Sequence, residues 1–238
     1  MTATDGGTAT VAVTGLNVDP VAPTATMIQP VTPYTTSRSI TAAWVAADAL
    51  SGVKVSTLRW TRRPASGGSW SEWTTPTTWT NLTTRSLSIT ANLGYQYCLA
   101  ARATDTAGNL SAWSPSRCIS APYDDRALSA SASWRQRTAT GWLGGTYTET
   151  DTHGASLTSA QRFTVHQVGI IATRCPSCGA VDIFIGATKV GTINLYAPTT
   201  QSRELLLLPR STTASTGDVR LVRSRWRLVR IDALAATP

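Results

Sequence analysis

The sequence predicts an all-β protein built as two tandem β-sandwich domains, and three observations support this. Short runs rich in Val, Ile, Thr and Trp recur between Gly, Pro, Asn and Asp turn signals. Lys and Glu are rare, and helix-forming runs are nearly absent. From Tyr97 to Cys118 the chain reads strand, turn, strand. Tyr97, Leu99, Ala101 and Ala103 alternate with Cys98, Ala100 and Arg102, and Asp105, Gly108 and Asn109 supply the turn.

The 238 residues are long enough for one large domain or two ordinary ones. Residues 1–19 hold one strand-like run, Thr8 to Val13, and lead into a Pro-containing linker; they read as the tail of a preceding repeat. Residues 20–122 form the first complete domain, with strands expected at Ser39–Ala47, Val53–Arg63, Ser69–Thr74, Ser86–Ala91, Tyr95–Thr104 and Arg117–Ala121. Residues 123–238 open on Asp124 and Asp125. Strands are expected there at Phe163–Thr173, Ala180–Ile185, Lys189–Tyr196, Glu204–Leu208, Asp218–Val222 and Trp226–Ile231.

The first domain resembles fibronectin type III and bacterial immunoglobulin-like modules of secreted actinobacterial proteins. The residues that carry the likeness are Asp19-Pro20-Val21-Ala22-Pro23, Asp48-Ala49-Leu50-Ser51-Gly52-Val53 and Asp105-Thr106-Ala107-Gly108-Asn109, in that order. A repeat tail plus one complete unit implies an array of modules in a longer parent chain. The second domain resembles the jelly-roll-like β-sandwich modules at the C-termini of secreted actinobacterial hydrolases. That likeness rests on Trp142 to Tyr147, His153 to Leu157 and Gly191 to Tyr196. Several modules of that kind bind carbohydrate, so the resemblance implies fold more firmly than ligand.

The formal net charge is +8, carried almost wholly by arginine. A basic surface suits nucleic acid, anionic polysaccharide or an anionic cell wall, but arginine on solvated strand faces is the plainer reading. No apolar run is long enough to span a membrane, so no membrane insertion is expected. The opening residues lack a secretory signal pattern, while the composition is that of an extracellular protein. The expectation is a piece of a longer secreted or cell-surface protein.

Four cysteines form two pairs. Cys98 and Cys118 lie on strands that neighbour one another in a fibronectin-like sheet, and a disulfide between them is expected. Cys175-Pro176-Ser177-Cys178 lies between strands rather than at a helix N-terminus, which argues against redox catalysis. No second CxxC completes a zinc site, and along an extended strand His166 is too distant to be a partner. A structural turn with a local disulfide is favoured. Asp19, Asp48, Asp105 and Asn109 have the oxygen chemistry of a calcium set, but the same residues cap tight turns, and that reading ranks first. Neither a metal nor a cofactor is expected.

No catalytic signature appears. His153 and His166 stand outside any HExxH pattern, and there is no GxSxG elbow or phosphate-binding Gly loop. Glu149 and Asp151 are two residues apart on one expected strand. This fits a solvated edge strand better than two carboxylates facing each other across a glycosidase cleft. The aromatics are the stronger lead, since Trp and Tyr stack on sugar rings. In the second domain the candidate ligand-binding residues are Trp142, Tyr147, Tyr196 and Trp134. Core filling is the competing role, weightier for Trp134 and Trp142 and evenly balanced for Tyr147 and Tyr196.

In the first domain, Trp70 and Trp73 point to opposite faces of a regular strand, and Trp113 is expected to cover the open end of the sandwich. Arg220, Arg223, Arg225, Arg227 and Arg230 crowd the last strand pair. A solvated face is favoured for them, an anionic glycan comes second, and no nucleic-acid motif accompanies them. The functional expectation is a non-catalytic accessory region, a spacer followed by a module that binds polysaccharide or cell-wall glycan. The alternative is a purely structural or adhesive pair of sandwiches.

Overall fold

A computed structural model describes residues 18–225 and 227–238. The expected strand at Thr8 to Val13 and the side chain of Trp226 lie outside the described residues. The described chain is all-β and contains two successive sandwiches.

In the first sandwich, β1 (Thr24–Gln29), β2 (Ser39–Ala47) and β4 (Ser86–Thr90) form one sheet in the order β1-β2-β4. The facing sheet runs β3 (Val53–Pro64), β5 (Tyr95–Asp105), β6 (Arg117–Ser120). The period-two pattern dictates what lies between them. Met27, Ile40, Trp44 and Ile89 from one sheet meet Leu58, Tyr97, Leu99, Ala101 and Ile119 from the other. The outward residues Cys98 and Ala100 are buried as well, because a loop carrying Trp70 and Trp73 folds over that face.

The second sandwich has a six-stranded and a five-stranded sheet. In the first, β15 (Gln201–Leu207), β12 (Gln167–Arg174), β17 (Val229–Thr237), β10 (Thr146–Thr150) and β9 (Arg135–Thr138) lie in that order, with β7 (Tyr123–Asp124) also paired to β17. In the second, the order is β14 (Thr188–Asn194), β13 (Ala180–Ile185), β16 (Ser215–Arg223), β11 (Ser156–Val165), β8 (Leu128–Ala130). Phe163, Leu157, Ile183 and Leu221 pack against Ile170, Ile231 and Leu234 to fill the space between them.

Several expected strands take a different form. Ser69–Thr74 is a loop tied to β3 by Trp60–Thr74 and Arg62–Ser71 backbone bonds and by the Thr61 hydroxyl, which donates to the Ser71 carbonyl at 2.6 Å. Gly67 and Gly68 enter it at φ of 110° and 123°, a turn that places both tryptophans over the same face. The single strand expected at Phe163–Thr173 is two strands in different sheets. His166 separates them; its N–H donates to the Thr237 carbonyl and its own carbonyl accepts from Ser211, so the chain changes sheet there. The last strand begins at Val229, and Leu228 just before it bridges to Cys178 beside the Cys175–Cys178 bond.

The first sandwich rests on the outer face of the six-stranded sheet. Leu93 packs against the buried cluster of Leu143, Ile171 and Ala233, as does Leu205. The Tyr34 hydroxyl meets Thr237 Oγ1 at 3.0 Å, and the Ser66 N–H donates to Tyr123 Oη at 3.0 Å. Gly94 has φ of 77°, and a Cβ there would stand 2.6 Å from the Tyr123 ring, so this turn requires glycine.

Asp232 is fully buried beneath the same contact. It accepts from the Leu143 N–H at 3.0 Å and pairs with Arg203 at 3.1 Å, while Arg203 also donates to the Thr36 carbonyl. Burial pushes the Asp232 carboxyl up to about 6, against the pull of Arg203. A raised carboxyl favours the folded state on the acid side, so its contribution grows as pH falls from about 6 toward 3.8. Asp232→Asn is expected to abolish that gain in urea melts compared at about pH 7 and about pH 4. Arg203→Ala, which strands the buried carboxylate, is expected to cost about 2 kcal/mol at neutral pH and less in acid.

Candidate functional site

Both cysteine pairs are bonded. Cys98 and Cys118 sit opposite one another on β5 and β6 with Cα atoms 4.0 Å apart. Cys175 and Cys178 close a tight turn between β12 and β13, with Cα atoms 5.0 Å apart. This second turn braces the segment after β14. Cys175 N–H donates to the Leu195 carbonyl, Ala197 N–H donates to the Cys175 carbonyl, and Arg227 Nη1 donates to the Pro176 carbonyl at 2.7 Å.

Tyr196 projects from that braced segment between the buried Leu195 and Ala197 and is 52% exposed. Its backbone is held at both ends. Its N–H donates to Asn194 Oδ1 at 3.1 Å, and its carbonyl accepts from Arg174 Nη2 at 3.0 Å. Tyr196, Asn194, Arg225, Arg227 and Cys178 line an open hollow of about 410 Å³. Such a lining combines a flat ring face, an amide with donor and acceptor, and two guanidinium forks.

Trp142 and Tyr147 meet elsewhere, on the outer face beside β9 and β10. Their rings stack with centroids 4.4 Å apart, and both are half-buried. Each ring therefore uses one face on the other, and Arg230 lies 5.8 Å from the Tyr147 centroid. Trp134 is 8% exposed and belongs to the core with Leu128 and Leu157. It presents no face to a ligand, because the β8 turn carries it inward. The four aromatic candidates are therefore not one platform.

The arginine cluster is dispersed in the same way. Arg223 is buried and donates to the Arg227 carbonyl, Arg220 lies over the Phe184 ring at 4.7 Å, and Arg230 pairs with Glu149 at 2.9 Å. Only Arg225 and Arg227 open onto the Tyr196 hollow.

Glu149 is clamped by Arg230 and by Arg137 at 3.0 Å. Burial opposes its ionisation, but the two arginines outweigh burial and hold it below its ordinary value. A carboxylate so held is a poor proton donor. Asp151 lies just beyond β10 and pairs with Arg135 at 3.3 Å.

At the far end of the first sandwich, ligand oxygens of Asp19, Asp48 and Asp105 lie within 4.8 Å of one another. Each carboxylate already accepts local hydrogen bonds: Asp19 from Val21 and Ser51, Asp48 from Leu50 and Gly52, Asp105 from Asn109. Bonds from Ser51 and Val21 hold Asp19 below its ordinary value. These are interlocked turns of the kind Asp and Asn build.

Neither a protein family nor a curated protein matches this sequence. Solved structures do. A study of promiscuous specificity in carbohydrate-binding modules of the β-sandwich superfamily supplies one, at 12% identity and TM-score 0.36, covering 93% of this chain and 100% of that one. An α-L-rhamnosidase from Dictyoglumus thermophilum matches at 8% identity and TM-score 0.34, over 92% of this chain and 29% of the enzyme. The α-L-rhamnosidase of Streptomyces avermitilis, complexed with L-rhamnose, matches at 10% identity and TM-score 0.22, over 89% of this chain and 22% of the enzyme. The chain thus spans under a third of either rhamnosidase. A likeness this distant assigns no site here.

Sequence reasoning named Tyr196, Arg225 and Arg227 separately but did not join them, and it missed Asn194. The turn between β16 and β17 brings the arginines to the tyrosine, and nothing local in either segment marks that meeting. The arrangement of Trp70 and Trp73 was missed for a similar reason. Both are exposed on one face, each over an arginine, whereas a regular strand would have split them.

Proposed function

We propose that the chain is a non-catalytic accessory region of an extracellular protein, and that its second sandwich is a carbohydrate-binding module. The observation that carries this is the exposed, backbone-anchored Tyr196 facing Asn194, Arg225 and Arg227 across one hollow. A sugar ring stacks its C–H face on the tyrosine, while the amide and guanidinium groups take its hydroxyls. The disulfide turn fixes the segment before ligand arrives, which lowers the ordering cost of binding. The two disulfides suit an oxidising, extracellular setting. Among the described residues, no helix is long and apolar enough to cross a membrane.

In this reading, residues 20–122 are a fibronectin type III or immunoglobulin-like spacer. Residues 123–238 are the jelly-roll-like binding unit, and residues 1–19 are the tail of an earlier repeat in a longer parent chain. The exposed Tyr196, Trp70 and Trp73 favour binding over a purely structural role, which would leave the large aromatics covered.

The test is a pull-down of the whole chain on insoluble polysaccharides and cell walls, repeated with Tyr196→Ala. Retention on at least one glycan, weakened about tenfold by the substitution, is the expected result. Absence of retention on every material would contradict the proposal.

A further inference from the structure

The outer face of the β3-β5-β6 sheet carries a row of stacked side chains that the second sandwich plays no part in. Arg63 lies over Trp70 at 4.5 Å, and Arg59 lies between Trp73 at 4.2 Å and Trp113 at 4.1 Å. Arg102 covers Trp113 at 4.6 Å. Between the two Trp–Arg pairs, Thr61, Cys98 and Cys118 stand in one transverse register row. They form the floor of an open hollow of about 390 Å³, walled by Trp70 and Trp73 and rimmed by Ser71 and Ser116. Both tryptophans are 40% exposed, so each keeps ring surface for a ligand beyond what its arginine covers.

The charged side chains stacked along this face are arginines, Arg59, Arg63 and Arg102, and the loop between the two tryptophans carries Glu72. Among the described residues, Arg59, Arg63 and Arg102 have no carboxylate partner, and the Nε atoms of Arg59 and Arg102 are buried without a hydrogen bond. A guanidinium that stacks by its flat face leaves its N–H edge for an anion. Burial lowers the affinity of Arg59 and Arg63 for their protons, which a nearby carboxylate would reverse.

We infer that this hollow is a second saccharide site, separate from the Tyr196 hollow, and that it takes acidic glycans. The sugar ring lies between Trp70 and Trp73 over the disulfide, and its carboxylate is held in the field of Arg59 and Arg63. The first sandwich is then a binding unit as well as a spacer. Two sites on one chain raise avidity for a polymer wherever a single strand reaches both.

The experiment titrates the whole chain with polygalacturonate and with its fully methyl-esterified form, in which every carboxylate is a neutral ester. It is run in a Tyr196→Ala background so that the two hollows report separately. The effect of Tyr196→Ala itself concerns the second sandwich. The effects of Trp70→Ala, Trp73→Ala and Ser116→Glu within that background concern the first. Expected results are retained binding of polygalacturonate, about tenfold weaker binding with either tryptophan removed, and a steep fall with added salt. Ser116 is exposed, so Ser116→Glu places a negative charge in the hollow without disturbing packing and is expected to weaken binding at least as much. The inference is overturned if these variants, with unchanged melting temperature, bind as before. It is also overturned if the neutral ester or single-stranded DNA binds as tightly as the acid.

Discussion

Trp44→Ala is expected to destabilise the first sandwich by about 4 kcal/mol, enough to unfold a marginal domain at physiological temperature. Trp44 is 1% exposed and lies at the centre of β2, where it fills the space between the two sheets with Met27, Leu58 and Leu99. Alanine would leave a cavity that strands pinned on both sides cannot close. Trp44→Phe discriminates between causes. The indole Nε1 is buried without a hydrogen-bond partner, so phenylalanine removes an unsatisfied donor while keeping most of the apolar volume. Its cost should be about 1 kcal/mol, because the lost volume and the removed donor work in opposite directions. Chemical denaturation monitored by tryptophan fluorescence reads both. An alanine variant less than about 1 kcal/mol below wild type would mean that Trp44 does not organise this core.

Replacing Cys98 and Cys118 together by alanine is expected to cost about 3 kcal/mol. The bond closes a segment with a separation of 20 residues and lies across neighbouring strands, so its main effect is to limit the unfolded chain. The Cys175–Cys178 bond spans a separation of only 3 residues, and the same reasoning gives it about 2 kcal/mol. Their functional consequences should differ as well. Removing Cys175 and Cys178 loosens the turn that holds Leu195, Tyr196 and Ala197, so glycan affinity at the Tyr196 hollow should fall along with stability. Thermal melts of the two double variants, read beside their glycan affinities, check both statements. Equal loss of stability would show that loop length does not set the ranking.

The legible parts of the fold share a cause. β2 and β13 occupy the expected residues, Ser39–Ala47 and Ala180–Ile185, because alternating apolar residues lie between clear turn signals. β9, Arg135–Thr138, is exposed along its whole length and offers no apolar residue to detect. β1 runs at the edge of its sheet between Pro23 and Pro30, and only Met27 is fully buried in it. The break at His166 is invisible for another reason. The apolar pattern continues through it, and the change of sheet depends on partners at Ser211 and Thr237.

The site follows the same logic. A reactive or stacking residue type can be picked out in a sequence, and Tyr196 was. Its neighbours Arg225 and Arg227 arrive through strand pairing some thirty residues later. Local composition thus identified the chemistry available, while topology decided which groups meet.

In the proposed function, the Tyr196 hollow binds carbohydrate. The most direct measurement is the backbone amide spectrum of the labelled whole chain, titrated with a short oligosaccharide of the glycan that retains it. The shifts are expected to gather on Asn194, Tyr196, Arg225 and Arg227 and, in Tyr196→Ala, to need about tenfold more ligand. Shifts gathered on Trp142 and Tyr147, with the Tyr196 segment unmoved, would contradict it.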